Sequence, residues 1–369
     1  MIANLFKRSS SKSLLGIDIN SERIAVAQLK KQGNRTILQH YVTAEMPIGA
    51  MVEGRIQDPM SLGLTLSNLL SENNISGEGG VATAVPVRDA IVRLIRLPAD
   101  LPADELRRVV LEQEAELYIP FDREMADVDF QALGLDIGDD NIERTEVLLV
   151  AIPKEVVDSQ LEVLRAANLK PRCVELTSFS IIRTIQEQLS QYGSQDAVLL
   201  TSIGYESSEI SILVNGVPQF TRTVNTGTTH MQQVLAQALN LPSGRTGDLL
   251  MSLRLPVVNP NETLVMGEQG ANNPGITAVS RILGDLADEL QRSVDFYVSQ
   301  ERSCPVVKVL LAGSGAGMSQ IDGFLSQRIG IPVELADPLG SLSVPDNIDI
   351  PLNERPSLGV ALGLGMRNS

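Results

Sequence analysis

The period of apolar positions changes several times along the chain, and each change marks an element. Leu14–Ile19 is an apolar run interrupted only by Gly16 and Asp18, which predicts a short buried strand. Asn20-Ser21 predicts a turn, Ile24–Leu29 a second strand, Gly33-Asn34 another turn and Thr36–Tyr41 a third strand. The same order returns later. Ala197–Thr201 is apolar, Ile203-Gly204-Tyr205-Glu206 supplies a turn, and Glu209–Val214 alternates as a strand should. Asn215-Gly216 is a type I′ hairpin signal, and Val217–Arg222 completes the meander. Aligning Asp18-Ile19-Asn20 with Ser202-Ile203-Gly204 shifts the pattern by half the chain. The expectation is two α/β halves built alike and facing each other.

Between these meanders, Gly80–Arg96 predicts strands, with breaks at Leu97-Pro98 and Leu101-Pro102. A helix is expected from Ala103 to Tyr118. Pro102 suits its start, and Asp104 and Glu105 suit its positive end. Leu106, Val109, Val110 and Leu117 form its expected apolar face, and Pro120 ends it. Thr145–Ile152 predicts a strand and Lys154–Ala167 a helix, so this region reads as a small inserted α+β unit. In the second half, Thr277–Gln300 predicts a long helix whose core face carries Val279, Ile282, Leu283, Leu286, Leu290, Val294 and Tyr297. Val306–Ala312 is a buried strand, Gly313–Gly317 a glycine-rich turn, Ser319–Arg328 a helix closed by Gly330, and Ile331–Leu335 a further strand. Asn259–Pro274 reads as an exposed loop. Pro356–Met366 reads as a final helix whose small residues permit close packing.

Composition narrows the class. The 369 residues carry 30 basic and 45 acidic side chains, a formal net charge of −15, which argues against a general nucleic-acid binder. Aromatics are 3% with no Trp, so the cores must be aliphatic. Cys173 and Cys304 read as buried reduced thiols, and His40 and His230 lack metal-type spacing. No apolar run approaches a membrane span of about 20 residues. Residues 1–12 carry Lys7, Arg8 and Lys12 among serines and read as a flexible arm, not a secretory signal.

Three turns are candidates for chemistry. In Gly16-Ile17-Asp18-Ile19-Asn20-Ser21, backbone amides after a buried strand could meet phosphate oxygens, and Asp18 could hold a hydrated Mg²⁺. A plain hairpin with a polar turn accounts for the same residues. Ser202-Ile203-Gly204-Tyr205-Glu206 is likewise a hairpin taken alone, and a second phosphate loop when paired with the first. Ala312-Gly313-Ser314-Gly315-Ala316-Gly317-Met318 feeds glycines into a helix start, which suits an anion or a close ligand. It is neither a Walker A loop nor a dinucleotide fingerprint, whose third glycine would fall at Met318. Tight packing is the other explanation for these glycines. Glu289 and Arg292 lie on the polar side of the long helix, as a solvated face or as contacts to a ribose or adenine edge.

In this order, the three loops resemble the two phosphate loops and the adenosine loop of the actin, Hsp70 and FtsA superfamily. Leu5-Phe6-Lys7-Arg8 with Leu14–Ile19, Glu112–Phe121, Val150–Val157, Leu290–Tyr297 and Val333–Pro338 are similar to PilM proteins, and the likeness covers nearly the whole chain. The resemblance implies an actin-like (ribonuclease H-like) duplicated two-lobe α/β fold with an FtsA-type inserted α+β subdomain. It implies a flexible arm over 1–12 and a first-lobe core over 13–79 and 166–196, with the insertion at 80–165. The second lobe would span 197–355, with 225–276 and part of the following helix as its smaller subdomain. Residues 356–369 would form a helix returning to the first lobe.

The resemblance also implies ATP and Mg²⁺, with Asp18 organising the metal through water. Asn20, Ser21, Ser202, Gly204, Tyr205 and Gly227 would lie about the phosphates. Glu289, Arg292, Gly313, Ser314, Gly315 and Met318 would lie about the adenosine. It implies a PilN-like cytoplasmic tail peptide as partner, in a groove near Gly80–Phe121, and contacts to pilus motor ATPases or the platform protein. The implied location is the cytoplasm, peripheral to the inner membrane, with self-association left open. Ser202 stands where relatives carry Asp, so ATP hydrolysis is expected to be weak or absent. Asn20 stands where the first loop usually has Gly, and Gly244–Asp248 departs from the nucleotide-contacting helix of the family. The alternatives are a small-molecule kinase on the same fold, for which no general-base carboxylate stands out, and an FtsA-like cell-division protein, whose C-terminal amphipathic helix is not seen here.

Overall fold

The computed structural model describes residues 14–33, 35–99, 101–137, 140–242, 246–257, 273–300 and 303–367. The expected N-terminal arm, nearly all of the expected loop at Asn259–Pro274, and Gly244 and Arg245 lie outside the described residues. The chain divides into two units. The first is Met1–Arg183, Leu342–Pro345 and Val360–Ser369; the second is Thr184–Ser341 and Asp346–Gly359.

The first unit opens on a meander of β1 (Leu15–Ile19), β2 (Arg23–Gln32) and β3 (Arg35–Glu45). A short hairpin, β4 (Met51–Val52) with β5 (Arg55–Ile56), leads to α1 (Pro59–Glu72). Asp58 caps α1 by accepting from the Ser61 N–H at 3.0 Å, and Pro59 sits in the first turn where its missing donor costs nothing. Then come β6 (Val81–Val85), β7 (Ile91–Pro98), α2 (Ala103–Val109), one turn of π-helix (Val110–Glu114), α3 (Ala115–Tyr118), β8 (Ala126–Ile137) and β9 (Glu143–Pro153). They are followed by α4 (Lys154–Ala166), β10 (Pro171–Leu176) and α5 (Thr177–Thr184). Every residue of β1 and of β6 is buried, as expected for inner strands of a sheet covered on both faces.

The second unit contains α6 (Gln186–Leu189), the meander β11 (Ala197–Ile203), β12 (Ser208–Val214) and β13 (Val217–Val224), and then α7 (Thr228–Leu239) and α8 (Gly247–Ser252). It continues with α9 (Pro274–Val298), β14 (Val306–Ala312), α10 (Ile321–Ile329) and β15 (Val333–Leu335). Asn215 and Gly216 both take positive φ, 51° and 73°, as a type I′ turn requires. Two late segments belong with the first unit: β16 (Leu342–Ser343), which pairs with β3, and α11 (Gly359–Met366) from Val360 onward.

The two units share one topology. The first sheet runs β10-β6-β1-β2-β3-β16 and the second runs β15-β14-β11-β12-β13. In each, an antiparallel meander is extended by parallel strands beside its first strand, β6 beside β1 and β14 beside β11. A separate three-stranded sheet, β7-β9-β8, lies beyond β6.

Several expectations need correction. Val81–Val85, placed in the insertion at 80–165, is a strand inside the six-stranded sheet, and α4 packs on α1. The inserted sheet itself is formed from Ile91 to Pro153. The first lobe was expected to continue to 196, but Thr184 onward belongs with the second unit. Residues 342–345, expected in the second lobe, pair with β3. The helix expected at 103–118 contains a π turn that inserts one residue and rotates the face. Leu106 and Val110 are buried as expected, but Ala115 and Ile119 continue the stripe and Leu117 is 73% exposed. The face of α9 holds apart from Ile282, which is half-buried. Cys173 is buried, and burial beside Glu175 pushes its thiol up to about 12; Cys304 is only half-buried.

Candidate functional site

Each meander turns in the same way. In the first unit Ile19 pairs with Ile24, and the Asn20 N–H donates to the Arg23 carbonyl at 3.1 Å, leaving Ser21-Glu22 as a two-residue loop. In the second unit Ile203 pairs with Ser208, and the Gly204 N–H donates to the Ser207 carbonyl at 3.0 Å, leaving Tyr205-Glu206. Asp18 and Ser202 therefore hold equivalent places, one residue before the end of each first strand.

The first hairpin is built around a carboxylate. Asp18 is 7% exposed, and the Asn20 Nδ2 donates to its Oδ2 at 3.0 Å. Burial raises its pKa to about 6; Arg23 and the Asn20 hydrogen bond pull the other way, and Glu22 adds to the rise. Asn20 does not use the positive φ its residue type tolerates. Its side-chain oxygen instead accepts from the Glu22 and Arg23 N–H groups at 3.0 and 3.1 Å, an Asx turn. A buried carboxylate at a strand end, its pKa raised by desolvation, is a place where a nearby cation would offset that cost.

The second hairpin is built around backbone. Ser202 is half-buried and carries no charge. The Thr228 and Thr229 N–H groups, at the start of α7, donate to the Gly204 and Tyr205 carbonyls at 2.9 and 2.8 Å. A Cβ on Gly227 would lie 2.3 Å from the Tyr205 oxygen, and one on Gly315 2.3 Å from Ile203 Cγ2. Gly313 has a φ of +83°, and a Cβ there would lie 2.4 Å from the Ile203 oxygen. The second unit thus brings Ser202, Gly204, Tyr205, Gly227, Gly313, Ser314 and Gly315 together. The glycines are required by the approach of three backbone segments.

Other expected site residues have other engagements. The Asn20 and Gly204 N–H groups, expected to face phosphates, are taken by the hairpins they close. The Gly313 N–H donates to the Pro356 carbonyl at 2.8 Å. Met318 is 3% exposed within the apolar core of the second unit, so its side chain is spent on packing. Glu289 accepts from Arg222 of β13 and from Arg292, contacts that run across α9 and β13 and not to the loops; the Arg292 hydrogen bond above all, with Arg222, holds it below the ordinary carboxylate range against the opposing effect of burial. The Gly227–Thr228 start of α7 was the part least visible in sequence: Asn225-Thr226-Gly227-Thr228 offers a Gly beside hydroxyl residues ahead of an apolar run, a weak helix-start signal.

A concavity of about 260 Å³ lies in the first unit, where β6 gives way to β7. Ile56, Pro86 and Val156 give it apolar walls; Asp89, Glu155 and Gln160 give it polar ones. Gln160 is 5% exposed and accepts from Thr83 Oγ1 at 3.3 Å. Among the described residues no helix is long and apolar enough to cross a membrane.

Two meander-led sheets of one topology, each with its first strand ending in a tight polar hairpin, define an actin-like fold. Solved structures agree. A chain of the PilM–PilN type IV pilus biogenesis complex is 23% identical, with 97% of this chain and 99% of that chain covered at a TM-score of 0.79. The ethanolamine utilization protein EutJ from Carboxydothermus hydrogenoformans is 12% identical over 99% and 95% at 0.55. MreB5 of Spiroplasma citri, solved with ADP, is 12% identical over 96% and 95% at 0.50. The family model for type IV pilus assembly protein PilM matches residues 16–258 and 279–369, and the chain belongs to that family.

Proposed function

We propose that this chain is an ATP-binding scaffold of the type IV pilus inner-membrane platform, which docks the cytoplasmic tail of a PilN-like protein. The observation that carries the reading is the repeated hairpin, with a buried carboxylate in one copy and a neutral serine in the other, in a chain of the PilM family. Asp18 would hold Mg²⁺ through water. The hairpin tips at Ser21 and at Tyr205 are each the proposed phosphate-facing turn of their unit, and the turn from Gly313 to Gly315 the adenosine-facing one. Because Ser202 supplies no charge to a metal or an attacking water, hydrolysis is slow and occupancy is the signal.

The concavity beside Pro86 and Gln160 is the proposed seat of the tail peptide. Its mix of apolar walls and buried amide suits an extended chain with one polar side chain. Through that partner the protein would sit at the cytoplasmic face of the inner membrane and meet the pilus motors. The test is fluorescence anisotropy with a labelled synthetic peptide of a PilN-like cytoplasmic tail. Saturable binding that is weakened by Gln160→Ala supports the seat. Binding unaffected by Gln160→Ala moves the seat elsewhere, and absence of binding removes the partner.

A further inference from the structure

The chain has a formal net charge of −15, but its cations are not spread evenly. One row of residues crosses the first sheet: Pro171, Val81, Leu15, Gln28 and His40 are successive register partners of β10, β6, β1, β2 and β3. Beyond that row, at the end away from Asp18, exposed cations gather. The strands β2 and β3 run past the row into their hairpin, which presents Lys30, Lys31 and Arg35. Lys170 and Arg172 stand about the start of β10, and Arg165 lies in the last turn of α4, which leads into it. Arg172 is held in place: a Cβ on Gly80 would lie 2.4 Å from its Cγ, so its stem lies across the bare backbone of Gly80.

The carboxylates among the described residues at this end are Glu72 at the end of α1, Glu78 before β6 and Glu162 on α4. None of the six cations has a side-chain hydrogen bond or ion pair with a described residue. Arg55, Arg96, Arg144, Arg183, Arg222 and Arg367, by contrast, are each held by a carboxylate.

Range decides what such an end attracts. At physiological ionic strength exposed charges act over about 8 Å. The strand β1 spans about 13 Å from Leu15 to Ile19 at about 3.3 Å per step. Charges around Asp18 are therefore screened from this end, and the local excess of cations governs it. No Phe, Tyr or Trp occurs at 29–39, 72–80 or 165–172, so there is no aromatic side chain on which a base could stack. The chain also enters β1 at this end, and the sequence ahead of it carries Lys7, Arg8 and Lys12 with Leu5 and Phe6 beside them. Basic residues next to apolar ones suit a bilayer surface that offers both negative headgroups and an apolar boundary.

We propose that this end of the first sheet, formed by the β2–β3 hairpin, the start of β10 and the end of α4, docks directly on a membrane surface of anionic phospholipid headgroups. The contact depends neither on the tail peptide nor on nucleotide.

Co-sedimentation of the full chain with vesicles tests this. Vesicles of phosphatidylglycerol and phosphatidylethanolamine are compared with vesicles of phosphatidylcholine, at about 50 mM and about 500 mM salt. The wild type is expected to sediment with the anionic vesicles at low salt, to be released at high salt, and to ignore phosphatidylcholine. The double variant Lys30→Gln with Lys31→Gln, whose fold is checked by its circular-dichroism melting curve, is expected to partition at least about tenfold more weakly, at about fivefold per cation removed. Arg254→Gln with Arg281→Gln removes the same charge from exposed positions of the second unit and is expected to leave partition unchanged. Failure of the wild type to sediment with anionic vesicles, sedimentation indifferent to salt, no loss in the Lys30 and Lys31 variant, or an equal loss in the Arg254 and Arg281 variant would each overturn the proposal. Tighter binding of a short single-stranded RNA in the same buffer would give this end to nucleic acid and overturn it as well.

Discussion

The two hairpins have the same pairing and the same two-residue loop, yet they are stabilised by opposite means. The first holds a buried carboxylate whose charge is costly, with Asn20 bracing the turn by side-chain hydrogen bonds. The second holds no charge at the equivalent place; α7 amides and glycine contacts fix its backbone. Topology decides where a turn falls, and the residues then decide whether it carries charge. The buried charge therefore belongs to the first hairpin, and backbone contacts and glycines to the second.

The largest expected effect breaks the shape side of this contrast. Gly313→Ala must hold a positive φ of +83° with a Cβ 2.4 Å from the Ile203 oxygen. The expected loss is about 3 kcal/mol or more in urea unfolding. Gly33→Ala is the control: its φ is +62° but nothing lies within 4 Å, so about 1 kcal/mol of strain is expected.

Next is the charge side. The carboxyl of Asp18 has a pKa of about 6 in the folded chain against 3.8 in the unfolded one. Below pH 3.8 both states are protonated and there is no cost. As pH rises from 3.8 to about 6 the unfolded chain ionises first, so stability falls; above that window the cost is constant. Asp18→Asn is expected to stabilise the ligand-free protein by up to about 3 kcal/mol at alkaline pH, and by almost nothing below the window. Parallel denaturation curves at both ends of the window check this; a difference independent of pH would sink it.

Two smaller effects sharpen the comparison. Ser202→Asp gives the second hairpin the charge it lacks, and is expected to tighten the Mg²⁺ dependence of nucleotide binding by on the order of tenfold. Asn20→Ala removes the acceptor of two N–H groups in the first turn, a loss of about 1 kcal/mol, since water can replace part of it.

Much of the fold was legible because short-range chemistry decides it. The meanders, the Asn215-Gly216 turn and the core face of α9 follow from local period and turn residues. The equivalence of Asp18 and Ser202 also came from local pattern, and the pairings reproduce it. Boundaries were less legible. Val81-Ala82-Thr83-Ala84-Val85 is buried on both faces and has no alternation to say which sheet it joins. Leu342–Ser343 is too short to carry any pattern. Leu117 was misassigned because a π turn changes the helical phase without a sequence marker. The glycines at 313 and 315 left two explanations open in sequence, and the close approach of Ile203 shows that packing demands them; Gly227, expected about the phosphates, is demanded by the approach of Tyr205. The ion pair of Glu175 with Arg367 joins residues almost two hundred positions apart, which no local pattern reports.

Under the proposed function, Asp18 organises a magnesium nucleotide and the neutral Ser202 adds no charge to it. Isothermal titration of Mg–ATP into the wild type and Asp18→Ala tests it most directly. The account predicts saturable binding at submillimolar nucleotide in the wild type, weakened by at least about tenfold in the variant, the loss of one charged metal contact. No heat at millimolar Mg–ATP, or equal affinity in the two proteins, would contradict it.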